Sequence, residues 1–121
     1  MIGKVIRVEK IVEQTLLYDF YGELLTEHQR RVYEDVVLND YSLSEVADQL
    51  GISRQGVHDN LKRCSKALQD YEEKLHLVEK FVKIKDKIRR IHWLSKECDS
   101  MSKQELVSQV EQISQEILEE L

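Results

Sequence analysis

The chain has 121 residues, 41% of them hydrophobic and 34% charged, with a formal net charge of −5. That length suits one domain around a single core, and the composition excludes a disordered chain. The negative balance argues against a protein that coats nucleic acid regardless of sequence. With no proline and only four glycines, an all-α fold is expected.

The first helix is expected over about residues 8–22, with Ile11, Val12, Leu16 and Phe20 on one face and Gly22 near its end. The β-branched stretch Val5–Ile11 is too short and too interrupted by charge to read as a strand. "TEHQ" opens the second helix, because Thr26 and Gln29 have capping-box spacing. Val32, Tyr33, Val36 and Val37 give it an apolar face, and Asn39-Asp40 ends it. "SLSE" opens the third with a second capping box, Ser42 and Glu45. Val46, Ala47 and Leu50 point inward, and Gly51 stops it.

Ser53 caps a fourth helix that nothing obvious stops before about Lys96. Its apolar positions Leu61, Cys64, Leu68, Tyr71, Leu75, Val78 and Val82 form a heptad seam, which then drifts to Phe81, Ile84, Ile88 and Ile91. The drift marks residues 70–85 as the place for a bend or break. A third capping box, Ser102 and Glu105, opens a last helix carrying Leu106, Val110, Ile113, Ile117 and Leu121. The seam is too long for one small bundle to cover. A homodimer built on the long helix and the last one is therefore expected. The chain is read as one structural domain in two parts. Residues 1–70 hold the N-terminal helices and a wingless helix-turn-helix with its turn at 50–53. Residues 71–121 hold the long-helix extension and the C-terminal helix.

The break at Gly51 carries the functional reading. Ala47 is small where the next helix crosses, Gly51 supplies a left-handed turn, and Ile52 plugs the angle between the helices. Val57 and Leu61 pack down on the preceding helix. Gln55, Asp59, Lys62 and Lys66 then face away from Val57 and Leu61, with His58 beside them, Arg54 in the first turn and Arg63 on the flank. A polar face on a helix braced by a short partner is what the DNA major groove accepts. Arg and Lys serve phosphate or guanine, Gln reads adenine, and an acid accepts from cytosine. The same geometry also occurs in an ordinary helical corner with a solvated outer face.

"SLSEVADQLGISRQGVHDNLKRCSKAL" resembles the promoter-reading region 4 of sigma factors, a likeness that covers about residues 24–68. Two residues depart from that pattern: Asp59 stands in the middle of an otherwise basic face, and Gly56 lies inside the helix. A narrower likeness covers most of the chain. "LYDFYGELLTEHQRRVYEDVVLNDYSLSEVADQLGISRQGVHDNLKRCSKALQDYEEKLHL" is similar to the YlxM family of small helix-turn-helix proteins, for which "SRQGVHDNLKR" and "DYEEKLHL" are distinctive. The resemblance implies a bacterial cytosolic protein encoded beside the signal recognition particle genes, with a regulatory or accessory role in that pathway. The expected partners are DNA or RNA, or components of the signal recognition particle. The rival readings are an adaptor of that particle's GTPase that touches no DNA, and a sequence-specific transcriptional regulator.

Residues 80–92 carry six Lys or Arg against one Asp, and residues 97–121 carry seven acids against one Lys. Lys80, Lys83, Lys87 and Arg90 share a face. They form either a secondary phosphate-binding stripe or a partner for the acidic last helix, and the opposite charge favours the second. Trp93 reads as core or dimer contact before it reads as a base-stacking platform. The four histidines have no ligand spacing, and no phosphate loop, nucleophile elbow or converging carboxylates occur. No metal, cofactor or enzymatic activity is therefore expected. Without a long apolar run, no signal peptide or membrane insertion is expected either. Cys64 and Cys98 read as reduced thiols of a cytoplasmic protein.

Overall fold

The structure, a computed structural model, describes residues 2–121, with side chains from Lys10 onward; the side chains of Val5–Val8 thus lie outside the described residues. Six α-helices follow one another, with no strand among the described residues: α1 (Ile2–Tyr21), α2 (Glu27–Tyr33), α3 (Leu43–Leu50), α4 (Arg54–Leu75), α5 (Leu77–Glu97) and α6 (Lys103–Glu120). A 3-10 turn at Gly22–Leu24 separates α1 from α2, a π-turn at Glu34–Leu38 follows α2, and a second 3-10 turn, Cys98–Ser100, joins α5 to α6. The chain forms two compact units, the first ending at His76 and the second covering Leu77–Leu121.

The capping residues set the helix starts. Thr26 Oγ1 accepts from Gln29 N at 3.2 Å while the Gln29 side chain accepts from Thr26 N at 3.0 Å, a complete capping box. Ser42, Ser53 and Ser102 each accept from the backbone N–H three residues on, at 3.1, 3.0 and 3.1 Å. Each such cap contributes about 1 kcal/mol.

In the first unit, Val32 of α2, Val46 and Ala47 of α3 and Val57 of α4 form one buried cluster. Val36, Leu43, Leu50, Ile52 and Leu61 pack around it. Burying each valine stabilises by about 1.5 kcal/mol or more. A second group, contributed by α1, α2 and α4, buries Leu17, Tyr21, Tyr33, Cys64 and Leu68. Tyr33 donates to the Gln14 carbonyl at 3.1 Å and stacks on Tyr18, the ring centroids 5.2 Å apart. Tyr21 donates to Glu72 at 2.6 Å.

Two expectations about α1 need revision. Helix α1 begins at Ile2 rather than near residue 8, taking in the β-branched stretch. Its buried positions are Leu17 and Tyr21, whereas Ile11, Val12 and Phe20 are exposed. The aromatic rings fill more volume against α2 and α4 than the aliphatic stripe would, so they turn the helix. The break expected within residues 70–85 falls at His76, so the long helix is two, α4 and α5. His76 takes the left-handed conformation (φ 56°, ψ 29°), its N–H donating to the Glu72 carbonyl at 2.8 Å, and α5 restarts at Leu77.

In the second unit α5 and α6 run antiparallel and enclose Leu94 and Ile113. Lys87 lies 3.0 Å and Arg90 2.8 Å from the Glu116 carboxylate, and Lys83 lies 3.1 Å from Glu79 and 3.8 Å from Glu120. No helix among the described residues is long and apolar enough to cross a membrane.

Candidate nucleic-acid interface

Gly51 takes the left-handed conformation (φ 68°, ψ 30°), and its own N–H and that of Ile52 both reach the Ala47 carbonyl. Only glycine adopts this conformation without strain, so α3 stops here and the chain turns. Ser53 restarts it. Its Oγ bonds the N–H of Gly56, and a Cβ on Gly56 would lie 3.2 Å from that oxygen, so Gly56 leaves room for the cap. Ala47 of α3 and Val57 of α4 are then buried in one cluster.

With Val57, Cys64 and Leu68 buried, the helical repeat turns positions 55, 59, 62 and 66 outward. Arg54, Gln55, His58, Asp59, Lys62, Arg63 and Lys66 are all exposed, and one helix holds them together. Beside them, Leu43 at the start of α3 joins Arg54, Gln55 and His58 in lining an open groove. Arg54 stands in the first turn of α4. The first turns of α2, α3, α5 and α6 carry Glu27, Glu45, Glu79 and Glu105, as the helix dipole favours, whereas the first turn of α4 has no acid.

Three contacts of this stretch went unforeseen. Gln55 Nε2 donates to Asp59 Oδ1 at 3.1 Å, and His58 Nδ1 lies 3.8 Å from the same oxygen. The i,i+4 spacing of an amide and a carboxylate was the available signal. Asn60 meets His28 of α2 at 3.3 Å, a contact that no local spacing announces.

The other basic residues occupy a different setting. Lys83, Lys87 and Arg90 pair with Glu79, Glu116 and Glu120, while Lys80 is exposed. Hydrogen bonds from Lys87 and Arg90 hold the Glu116 carboxyl below its ordinary value, and those to Glu79 and Glu120 hold Lys83 above its own. Trp93 is exposed to 57%. Cys64 is buried, which pushes its thiol pKa up, and Cys98 is half-buried; both are free thiols. Among the described residues no three metal-ligating side chains converge.

Residues 8–117 match the UPF0122 family, described as "Putative helix-turn-helix protein, YlxM / p13 like". The chain belongs to this family. It is 56% identical over 84 residues to a UPF0122 protein of Caldanaerobacter subterraneus subsp. tengcongensis, covering 69% of this chain and 68% of that protein. It is 44% identical over 116 residues to a UPF0122 protein of Acetivibrio thermocellus, covering 93% and 99%. With a UPF0122 protein of Oceanobacillus iheyensis it shares 46% identity over 85 residues, 68% and 81% of the two chains. The family's description is that of a helix-turn-helix protein.

Proposed function

We propose that this UPF0122 protein is a cytoplasmic regulatory protein that binds nucleic acid through the exposed face of α4. One observation carries the reading: the charge on that face runs against the rest of its unit. Residues 54–66 hold four basic side chains against one acid, whereas the remainder of residues 1–76 holds six against thirteen. An acidic body with one basic edge repels phosphates everywhere except along that edge. Arg54 at the positive end of α4, where α2, α3, α5 and α6 place glutamate, adds to the same field. Exposed apolar side chains on the second unit, among them Ile88, Trp93, Val107 and Leu118, support homodimerisation there. Two copies would present two recognition helices.

The resemblance to the YlxM family supports a narrower form, in which the nucleic acid or a protein partner belongs to the signal recognition particle. The test is a titration of the full chain against duplex DNA and structured RNA at two salt concentrations, with light scattering for the oligomeric state. Salt-dependent binding that Lys62→Ala weakens, with the salt slope reduced by about one, is the expected result. No salt-dependent binding to either polymer would refute the reading, and a monomeric mass at tens of micromolar would refute the dimer.

A further inference from the structure

Asp59 is a poor choice for a surface that only grips phosphate. It sits at the centre of the exposed stripe, between Gln55 one turn before it and Lys62 and Arg63 one turn after it. Either cation lies at the i,i+3 or i,i+4 spacing that would neutralise it. The carboxylate instead meets the Gln55 amide at 3.1 Å and the His58 ring at 3.8 Å, both toward the N-terminal end of α4, and both at Oδ1. Lys62 and Arg63 thus keep their charge for other ligands, and Asp59 keeps its second oxygen.

The pairing also decides what Gln55 presents. A carboxylate only accepts, so the Gln55 amide nitrogen must face it, and the Gln55 carbonyl is turned outward. Free glutamine offers a donor and an acceptor side by side, which suits adenine. Tied to Asp59, the pair offers mainly acceptors: the Gln55 carbonyl oxygen and Asp59 Oδ2. In the major groove the base that shows a donor without an adjoining acceptor is cytosine, through its N4 amino group, and its partner guanine shows two acceptors that suit Arg54 or Lys62.

We propose, on the basis of the nucleic-acid reading above, that the Gln55–Asp59 pair is the specificity element of α4 and reads the amino group of a cytosine in the major groove of duplex DNA. Lys62, Arg63 and Lys66 hold the flanking phosphates, and the carboxylate repels the backbone wherever no amino group meets it. The proposal commits to B-form DNA, because the deep, narrow major groove of an RNA duplex does not admit a helix.

The test is in vitro selection from a randomised duplex DNA library with the full chain and with D59N, followed by titration of the selected site. A selected structured-RNA pool serves as the alternative ligand, and thermal melts confirm folding. The wild type should enrich a site with one invariant cytosine, and replacing that base pair should weaken binding by about tenfold or more. D59N should keep the register of the site, lose the cytosine at that column, and bind unrelated duplex more tightly. If the wild type selects a site and D59N selects the same site with cytosine intact, the pair is not the reader, although the nucleic-acid reading stands. If only structured RNA is enriched, the proposal falls and an RNA-binding role remains. If neither pool is enriched and neither polymer binds, both readings fall.

Discussion

The turn that aims α4 depends on a single backbone conformation, and it can be perturbed without touching a neighbour. Gly51 sits at φ 68°, and a Cβ built there meets no atom within 4 Å. Gly51→Ala therefore adds no clash, and its cost is conformational. A left-handed residue with a Cβ is strained by about 1–2 kcal/mol, which outweighs the smaller gain from a stiffer unfolded chain. We expect a net loss of about 1 kcal/mol, or about 4–8 °C for a unit of this size. Gly51→Asn should lose less, since asparagine tolerates this region, and Gly51→Val should lose more. All five tyrosines lie in residues 1–76 and the single tryptophan lies beyond them. A melt followed by tyrosine signal therefore reports the helix-turn-helix unit directly. Gly22 is the contrasting case. Its added Cβ would lie 2.8 Å from Tyr18 Cε2, on a ring stacked against Tyr33 and hydrogen-bonded to Glu34. Gly22→Ala should thus cost about 1–3 kcal/mol by overpacking, and Gly22→Asn should make it worse. An alanine at 51 as stable as glycine, or an asparagine there as harmful as alanine, would refute the left-handed-turn argument.

Other consequences can be measured on the same variants and signals. Ser53→Ala removes the acceptor for the Gly56 N–H and should cost about 1 kcal/mol by urea titration, fraying the first turn of α4 and weakening any ligand held by Arg54. Burial raises Tyr33 to about 12, and burial with the Glu34 hydrogen bond raises Tyr18 to about 12. The folded state keeps both phenol protons longer than the unfolded chain does. This stability is complete below about pH 10 and is lost as pH rises toward 12, the Tyr33 part being on the order of 2 kcal/mol. Alkaline unfolding followed by circular dichroism checks it, and Tyr33→Phe should flatten the loss. Glu116 has the opposite sign: its lowered carboxyl stabilises α5 against α6 above the ordinary glutamate range and ceases to do so on acidification. Glu116→Gln should accordingly remove part of the acid sensitivity of the second unit, read from Trp93 fluorescence.

The legible parts of the fold were those fixed by nearest-neighbour chemistry. Thr26, Ser42, Ser53 and Ser102 each announce a helix that starts at the next residue, and each accepts from the N–H three residues on; of the three capping boxes expected, only that of Thr26 and Gln29 is complete, Glu45 and Glu105 not bonding back to their serines. Ala47, Gly51, Ile52, Val57 and Leu61 announce the turn because its geometry tolerates few other side chains. Less legible was whatever a third element decides. The stop falls within the 70–85 window that the drifting seam marks, but that His76 is the residue to turn left-handed is not written in a run whose heptads continue through it. The choice of Leu17 and Tyr21 over Ile11 and Phe20 as the core face of α1 was set by the aromatic packing of α2 and α4 around it, not by periodicity within α1. On the candidate site, the sequence showed which side chains are exposed together but not that Asp59 would turn to Gln55 rather than to Lys62 or Arg63.

The two basic regions of the chain began as equals in composition, and their surroundings separate them. Lys83, Lys87 and Arg90 face glutamates of their own unit at 2.8 to 3.8 Å, so a phosphate would have to displace Glu79, Glu116 or Glu120 from each. Exposed pairs of this kind contribute little stability each, but they weaken a cation as a ligand, because its field is already answered. Arg54, Lys62, Arg63 and Lys66 stand on the stretch 54–66 of α4, whose one acid, Asp59, is tied to a neutral amide and a histidine. Their field is unanswered along residues 54–66 and opposed by the acidic remainder of residues 1–76, Asp70, Glu72 and Glu73 of α4 included, so it is narrow. A narrow positive field on a helix edge favours a ligand whose charge runs along a groove over one that wraps the whole unit. That is why a protein of net charge −5 is a credible reader of nucleic acid only through α4, and why removing Asp59 should broaden what it binds rather than merely strengthen it.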